Sequence, residues 1–234
     1  MWYSYLVYGG FVVVDKKISS AVVKRLPRYY RYLSELLEKG IDRISSQELS
    51  AKMNVTASQI RQDFNNFGGF GQQGYGYTVG ILHDEIGKIL GLEHDYHVII
   101  VGAGNLGQAL ANYGGFTKRG FRISGIFDID PAVIGKVING VEVLPMSEVE
   151  QHVQVNGVNI AALTLPKEQA SRTASQLADF GVQAFWNFAS TDLNLPEDVV
   201  VENVHLAESL MRLSYKLSEK QGLRKENMRD ECKK

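Results

Sequence analysis

The first third of the chain has apolar residues at spacings of three and four, which is typical of helices that bury one face. Residues 19–39 form the longest such stretch, and Gly40 marks its end. Two shorter stretches follow, and each opens on a capping box, at Ser45-Ser46-Gln47-Glu48 and at Thr56-Ala57-Ser58-Gln59. Two short helices behind a longer one predict a helix-turn-helix, in which the second short helix is the recognition helix.

Glycine and aromatic residues alternate in the next segment, from Phe67 to Tyr77. This composition favours a tight hairpin over a helix, and a hairpin directly after a helix-turn-helix is a wing. Helical spacing returns from Val79 to Leu90 and stops at Gly91. We therefore expect a winged-helix domain over 18–80 and a linker helix over 81–94.

In the rest of the chain, short apolar runs that suit buried strands alternate with helical stretches. Such alternation predicts a parallel sheet with helices packed on its faces, here over 95–205. A last helix over 206–221 carries a leucine stripe at heptad-like spacing, which indicates burial against a partner chain or within the same subunit. The stripe consists of Leu206, Leu210, Leu213 and Leu217. We expect residues 222–234 to form a charged, frayed tail.

Composition and charge narrow the choice of function. Hydrophobic residues at 44% and charged residues at 22% exclude a disordered or fibrous chain. The net charge is only −1, but ten Lys and Arg residues stand against five Asp and Glu between 16 and 75, and fifteen against twenty between 76 and 234. A basic first third on an acidic remainder indicates that the first domain alone contacts a polyanion.

The chain shows no sign of export or membrane insertion. Its one cysteine, Cys232, allows no intrachain disulfide, so we expect a cytoplasmic protein. Residues 1–14 lack the positive start and the cleavage site of a signal peptide, and they are too short to span a membrane. We expect residues 1–17 to be an N-terminal extension.

The sequence Gly102-Ala103-Gly104-Asn105-Leu106-Gly107 matches the G-x-G-x-x-G pattern of dinucleotide-binding turns. It follows an apolar run, Val98–Val101, and it precedes a helical stretch, as such a site requires. The first glycine permits the sharp bend, the second lets a pyrophosphate approach and the third lets helix and strand pack. The alternative is that the glycines serve packing alone. With this motif we expect an α/β protein whose second domain is a Rossmann-type doubly wound sheet.

Acidic and hydroxyl residues follow two of the predicted strands. Asp128 lies twenty-one residues after the third glycine, where the ribose-binding acid of such domains belongs. A carboxylate repels a 2′-phosphate, and no Arg or Lys follows before Pro131, so we expect NAD(H) rather than NADP(H). Asp130 either contacts the ribose too or forms the turn before Pro131. Thr164, followed by Pro166, either contacts the nucleotide or simply ends its strand.

The helix that begins after Thr56 is expected to face the major groove, because early residues of a recognition helix reach base edges. Its candidate base contacts are Ser58, Gln59, Arg61 and Gln62, and an arginine suits bidentate contact to guanine. Basic residues on the neighbouring helices would contact phosphates, which sets affinity and salt dependence. These residues are Lys24, Arg25, Arg28, Arg31 and Lys52. The alternative is a solvated helix face, or a winged helix used for protein contacts.

The sequence resembles the Rex family of bacterial redox-sensing transcriptional repressors over about residues 18–220. Five stretches in the same order carry the resemblance. They are Arg25-Leu26-Pro27-Arg28-Tyr29-Tyr30-Arg31-Tyr32-Leu33, Ser58-Gln59-Ile60-Arg61, Gly102 to Gly107, Phe127-Asp128-Ile129-Asp130-Pro131 and Trp186-Asn187-Phe188. The chain departs from the family where Gln62 replaces a frequent Lys, where Ser190 replaces a frequent Pro, and over residues 1–17.

The resemblance implies a homodimer that binds a palindromic operator in double-stranded DNA and whose final helix packs in the partner subunit as a dimerisation helix. It also implies that NADH releases the protein from DNA and that NAD+ competes for the same pocket. We expect Asn187 and Phe188 to contribute to that pocket, since an apolar site favours the neutral reduced ring over the oxidised cation. We further expect bound NADH to draw the subunits together, so that the recognition helices no longer match major grooves about 34 Å apart.

Two other functions share the nucleotide motif. A dehydrogenase also needs a proton donor or acceptor beside the hydride site, and none of the five histidines clearly ends a strand. These are His83, His94, His97, His152 and His205. A domain that binds CoA or adenosine nucleotides without redox sensing is the other alternative. Cys232 has no partner for a zinc site, so the sequence predicts a regulator with no catalytic residues and no metal.

Overall fold

The computed structural model describes the backbone of residues 7–8, 11–12, 18–65, 71–72 and 75–231, and the side chains of 18–65 and 75–221. The chain forms two compact units, Met1–His94 and Asp95–Lys234. Among the helices that the structure describes, none is both long and apolar enough to cross a membrane.

The first unit contains five helices and five short strands among its described residues. In chain order they are β1 (Val7–Tyr8), β2 (Phe11–Val12), α1 (Ser20–Val23), α2 (Leu26–Glu38), β3 (Arg43–Ile44), α3 (Ser46–Met53), α4 (Ala57–Asn65), β4 (Gly71–Gln72), β5 (Gly76–Thr78) and α5 (Val79–Ile89). Strands β1 and β2 pair with each other, and the other three form an antiparallel sheet in the order β3-β5-β4. The core packs residues of α2 to α5, including the fully buried Leu33, Leu49, Ile60 and Leu82.

The predicted wing is confirmed where it is described. Gly71 and Gln72 pair with Tyr77 and Gly76, while 66–70 and 73–74, which include most of the glycine-aromatic segment, lie outside the described residues. Gly76 has a φ of +72°, and a Cβ there would come within 2.7 Å of the Ile44 carbonyl oxygen. A side chain at this position would therefore separate the wing from β3.

The two capping boxes differ. Ser45 and Glu48 form the complete reciprocal pair, and those hydrogen bonds lower the pKa of the Glu48 carboxyl. At α4, Thr56 accepts from the backbone N–H of Gln59 at 3.1 Å, but the Gln59 side chain donates instead to Asp63. The second box is thus half formed, because the Gln59 side chain turns to donate to a buried carboxylate one turn along the helix and does not reach back to the Thr56 N–H.

Helix α5, which the sequence suggests as a linker, packs into the first unit. Leu82 and Ile86 are fully buried in that unit's core. The ring of Tyr30 on α2 stacks on His83 with centroids 4.2 Å apart, and a Cβ on Gly87 would come within 3.2 Å of the same ring. The missing side chain at Gly87 lets the two helices approach closely.

The second unit is a seven-stranded sheet in the order β12-β11-β10-β6-β7-β9-β8, parallel except for β8. In chain order its elements are β6 (Tyr96–Val101), α6 (Asn105–Ala111), β7 (Phe121–Asp128), β8 (Val137–Ile138), β9 (Val141–Pro145), α7 (Val149–Asn156), β10 (Ile160–Leu163), α8 (Lys167–Asp179), β11 (Ala184–Asn187), β12 (Val200–Asn203) and α9 (Leu206–Glu231). Buried clusters lie on both faces of the sheet. This is the Rossmann-type α/β architecture that the glycine motif predicts.

Helix α9 continues beyond residue 221, where the sequence suggests a frayed tail. Residues 223–231 are mostly Leu, Arg, Lys, Glu and Met, which are good helix formers. The predicted leucine stripe lies on the surface of the protomer: Leu206, Leu210, Leu213 and Leu217 are between 54% and 68% exposed.

Candidate functional site

A cavity of about 280 Å³ opens at the carboxyl ends of β6, β7 and β10. Neighbours β7 and β10 lie on opposite sides of β6, so this is the switch point at which open α/β sheets bind ligands. The cavity brings together five residues predicted from sequence, namely Gly102, Gly104, Asp128, Thr164 and Pro166. Its other lining residues are Val101, Phe127, Ile129, Met146, Leu165, Gln169 and Thr173.

Each of the three motif glycines is required for a different structural reason. Gly102 has a φ of +105°, and a Cβ there would come within 2.8 Å of the Thr164 carbonyl oxygen. A Cβ on Gly107 would overlap the Gly102 carbonyl oxygen. A Cβ on Gly104 would have no heavy atom within 4 Å, and Gly104 lines the cavity. The first and third glycines are therefore needed for packing, and the second leaves room for a ligand.

Thr164 holds the glycine turn in place. Its hydroxyl lies 2.7 Å from the Gly102 carbonyl oxygen and 3.1 Å from that of Val101, and its own N–H donates to Val101 at 2.9 Å. A hydroxyl has one hydrogen, so it donates mainly to the nearer oxygen, that of Gly102. Thr164 directly follows β10 and lines the cavity, so contact with a nucleotide stays a prediction.

Asp128 is held in the cavity by backbone amides. Its Oδ1 accepts from Ile129 at 2.7 Å and from Asp130 at 2.9 Å, and its Oδ2 accepts from Ala103. No Lys or Arg is among the described residues that line this cavity. The carboxylate is therefore oriented before a ligand arrives, with no cation beside it to attract a 2′-phosphate.

Asp130 and the remaining motif residues lie outside the cavity lining. Asp130 is exposed, and its Oδ1 accepts from the N–H of Ala132 at 2.9 Å, as in a turn. Ala103 is buried, and its carbonyl accepts from the Gln108 side chain at 2.7 Å. Asn105 is exposed at the start of α6, and Leu106 is half-buried.

Asn187 and Phe188 also lie outside this cavity. Asn187 is fully buried; its Nδ2 donates to the Thr191 carbonyl at 2.7 Å and to the Asn203 side chain at 2.8 Å. Its Oδ1 accepts from Ala189 at 3.0 Å. These bonds fix the loop after β11. The ring of Phe188 packs edge-on to Trp186 with centroids 4.6 Å apart.

None of the five histidines is among the described residues that line the cavity. Within the part of the chain that the structure describes, no group of three or more His, Cys, Asp or Glu could hold a metal ion.

The first unit presents one face of α4 outward. Ser58, Arg61 and Gln62 are exposed there, and the Arg61 guanidinium donates to the Ser46 hydroxyl on α3 at 3.0 Å. Asn65 is exposed on the same face, three residues after Gln62. It was not predicted, although its spacing matches and its amide can pair with adenine.

The predicted phosphate contacts fall into two groups. Lys24, Arg28, Arg31 and Lys52 are exposed. The guanidinium groups of Arg28 and Arg31 lie 5.9 and 5.2 Å from the centroid of the Tyr32 ring. Arg25 differs, because its guanidinium is bound to the buried Asp63.

A further exposed arginine, Arg43, pairs with Thr78 of the wing strand β5 and was not predicted. It donates to the Tyr75 carbonyl at 3.3 Å, and its guanidinium is 6.0 Å from the centroid of the Tyr75 ring. The sequence signal that could have identified it is its place two residues before Ser45, where the first capping box begins.

These features define a class of protein: a winged-helix unit of the kind that binds DNA, followed by a Rossmann-type unit with a dinucleotide-binding turn. A family model described as "Putative DNA-binding protein N-terminus" matches residues 17–65, and one described as "CoA binding domain" matches residues 93–191.

Curated relatives and solved structures are more specific. The chain is 55% identical over 209 residues to the redox-sensing transcriptional repressor Rex of Thermoanaerobacter pseudethanolicus, covering 89% of this chain and 93% of that protein. It is 54% identical over 205 residues to Rex of Clostridioides difficile, covering 88% and 98%. The crystal structure of RSP with β-NAD+ and operator DNA matches with a TM-score of 0.82 at 54% identity, covering 90% of this chain and 97% of that one. RSP with β-NADH matches with a TM-score of 0.81 at 51% identity, covering 90% and 99%.

The chain belongs to the Rex family of redox-sensing transcriptional repressors. Membership confirms the resemblance and the expected function of a repressor rather than a dehydrogenase.

Proposed function

We propose that this chain represses transcription by binding a palindromic operator as a homodimer, and that NADH in the cavity beside Asp128 releases it. One observation carries the proposal. The glycine turn, which is hydrogen-bonded to Thr164, and the carboxylate of Asp128, which is hydrogen-bonded to backbone amides, line the same cavity. The relatives named as redox-sensing repressors, and RSP structures with β-NAD+, operator DNA and β-NADH, support it. In bacteria, the source of the Rex relatives, chromosomal DNA lies in the cytoplasm, and we propose that location for this chain.

The cavity fits a dinucleotide. Asp128 would accept from ribose hydroxyls, and the open side of Gly104 would leave room for the pyrophosphate. The redox signal lies in the ligand itself, since NAD+ and NADH differ by a hydride and a ring charge. An apolar site for the nicotinamide would favour the neutral reduced ring, because burying an unpaired cation is costly.

The dimer proposal rests on two uncovered apolar surfaces of the second unit. The first is the leucine stripe of α9. The second is an apolar cavity of about 360 Å³ over the sheet, whose walls include Phe116, Phe121 and Trp186. We propose that α9 of one protomer packs in its partner and that swapped packing buries both surfaces. Replacing Leu210 and Leu213 together by Asp should convert dimer to monomer in analytical ultracentrifugation; a dimer that survives would contradict this assignment.

The repressor proposal is tested by mobility shift at fixed salt across a series of NADH/NAD+ ratios. Operator affinity should fall 5- to 150-fold as the ratio rises, which corresponds to a coupling of about 1–3 kcal/mol. An affinity independent of the ratio would contradict the proposal. Displacement of NADH by CoA in a fluorescence titration would instead favour a CoA site, and sustained NADH oxidation with ketones or aldehydes would favour an enzyme.

A further inference from the structure

Asp63 on α4 is a charged residue with no solvent exposure. Its carboxylate accepts four hydrogen bonds from three residues. Arg25 donates through Nε to Oδ2 and through Nη2 to Oδ1, each at 2.7 Å. The Tyr29 hydroxyl donates to Oδ2 at 2.7 Å, and the Gln59 amide donates to Oδ1 at 2.9 Å. Both oxygens are therefore saturated within the protein.

These bonds join the first turn of α2 to the inner face of the recognition helix α4. Arg25 and Tyr29 lie at the start of α2, whereas Gln59 and Asp63 lie one turn apart on α4. The Tyr29 ring also packs edge-on to Phe64 with centroids 5.0 Å apart. The paired bonds from Arg25 require the guanidinium and carboxylate planes to align, so this contact restricts the angle of α4 as well as its distance from α2.

The protonation states suit a permanent link. Burial alone would raise the pKa of the Asp63 carboxyl, but hydrogen bonds from Arg25, Tyr29 and Gln59 outweigh it and lower that pKa. Burial and the bond to Asp63 raise the pKa of the Tyr29 hydroxyl. Asp63 is thus ionised and Tyr29 a neutral donor at neutral pH.

We propose that Asp63 is a positioning residue for operator recognition, and that Arg25 and Gln59 act through it rather than on DNA. The four bonds hold α4 at one angle, so that Ser58, Arg61, Gln62 and Asn65 face outward together. This inference rests on the proposed operator binding, and it reassigns two residues that the sequence placed at phosphates and base edges. Sequence-independent attraction to phosphates does not depend on that angle, whereas base readout does.

The test separates a positioning residue from a phosphate contact by salt dependence. Binding is measured at several salt concentrations to an operator duplex, selected from a random library by the unaltered protein, and to a scrambled duplex of equal length. Loss of one phosphate contact lowers the slope of log affinity against log salt by about 0.9. Arg25→Gln should leave both slopes unchanged and reduce the operator preference about tenfold. Arg28→Gln, which changes an exposed arginine, should lower both slopes by about 0.9 and keep the preference.

Two further variants keep the test decisive. Asp63→Asn should match Arg25→Gln. Tyr29→Phe keeps the ring and removes one neutral donor, so it should fold and lose operator preference several-fold. A lower slope with preserved preference in Arg25→Gln, or full preference in Tyr29→Phe and Arg25→Gln together, would overturn the assignment. A protein that prefers operator but ignores NADH would contradict the proposed function and leave this inference standing.

Discussion

The hydroxyl of Thr164 donates a hydrogen bond to the carbonyl oxygen of Gly102 across 2.7 Å. The contact joins the end of β10 to the turn that follows β6, so two neighbouring strands share one constraint at the cavity mouth. Gly107 packs against the same carbonyl. The shape of the nucleotide turn therefore depends on a residue sixty-two positions away in the chain.

Replacing Thr164 by Val should loosen this turn while keeping the side-chain volume. We expect the free energy of unfolding to fall by about 1–2 kcal/mol, because the Gly102 carbonyl loses its donor. NADH affinity should fall about tenfold. Urea unfolding and NADH fluorescence titration measure the two effects. Thr173→Val is the matched control in the same cavity, and equal behaviour of the two variants would contradict the role of Thr164.

Substitutions at Gly104 and Gly107 should affect NADH binding and protein stability separately. Gly104→Ala places a methyl in open space, so stability should hardly change while NADH affinity falls at least tenfold, by about 1.4 kcal/mol or more. Gly107→Ala forces a methyl against the Gly102 carbonyl, so unfolding should become easier by more than about 2 kcal/mol. Gly114→Ala, at a position with open space outside the cavity lining, is the control. Thermal unfolding and NADH titration of the three variants check this order.

Much of this site could be predicted from sequence because its determinants are local. The strand before Gly102, the helix after Gly104 and the distance to Asp128 are all properties of one βαβ unit. The hydrogen bond from Thr164 to Gly102 is not local, because it depends on which strand lies beside β6. Strands β8, β9 and β12 and helix α7 escaped prediction; β8 and β12 are the two edge strands of the sheet and lack the continuous apolar run that marks a buried strand.

Asp128 and Asp130 offer a paired test of nucleotide recognition. Asp128→Asn keeps the shape but removes the charge, so NADH affinity should fall at least tenfold, by about 1.4 kcal/mol or more, and discrimination against NADPH should weaken. Asp130→Asn should leave NADH affinity within about twofold, because an asparagine oxygen can still accept from Ala132. Parallel titrations with NADH and NADPH measure both. Equal losses in the two variants would show that Asp130 contributes as much as Asp128, and a larger loss in Asp130→Asn would place the ribose contact at Asp130.

In the DNA-binding unit, sequence periodicity found the outer face of α4 but not the partners of its polar residues. Gln59 fits the predicted face, yet its amide turns to Asp63. Arg25 looks like a phosphate contact in a basic stretch until its bond to a buried carboxylate is seen. Helical spacing tells which way a side chain points around the axis of its own helix. A buried ion pair between two helices depends on how those helices cross, and helical spacing does not show that.

His152 should make stability sensitive to mild acid. It packs on Phe127 with ring centroids 5.2 Å apart, and its buried Nε2 has no hydrogen-bond partner among the described residues. Burial lowers the pKa of His152 below its usual 6.5 and outweighs a hydrogen bond to the Ser124 backbone, which raises it; the neighbouring His97 lowers it further. Below pH 6.5 the unfolded chain binds a proton that the folded protein rejects, so the free energy of unfolding should fall as pH drops.

The slope due to His152 cannot exceed about 1.4 kcal/mol per pH unit. Urea unfolding between pH 7.5 and pH 5.5 measures it, and His152→Gln should flatten the curve. An unchanged pH dependence in that variant would assign the effect to other groups.

Arg61 and Asn65 should determine sequence preference rather than general DNA affinity. Arg61→Ala is expected to weaken operator binding by about 1–3 kcal/mol and to relax preference at one base pair. Asn65→Ala should relax a different position, one helical turn away, by a similar amount. NADH affinity should stay unchanged in both, because neither residue belongs to the nucleotide-binding unit. Binding of each variant to a set of single-base operator changes gives the pattern, and a uniform loss across all sequences would show that the side chain contacts phosphate.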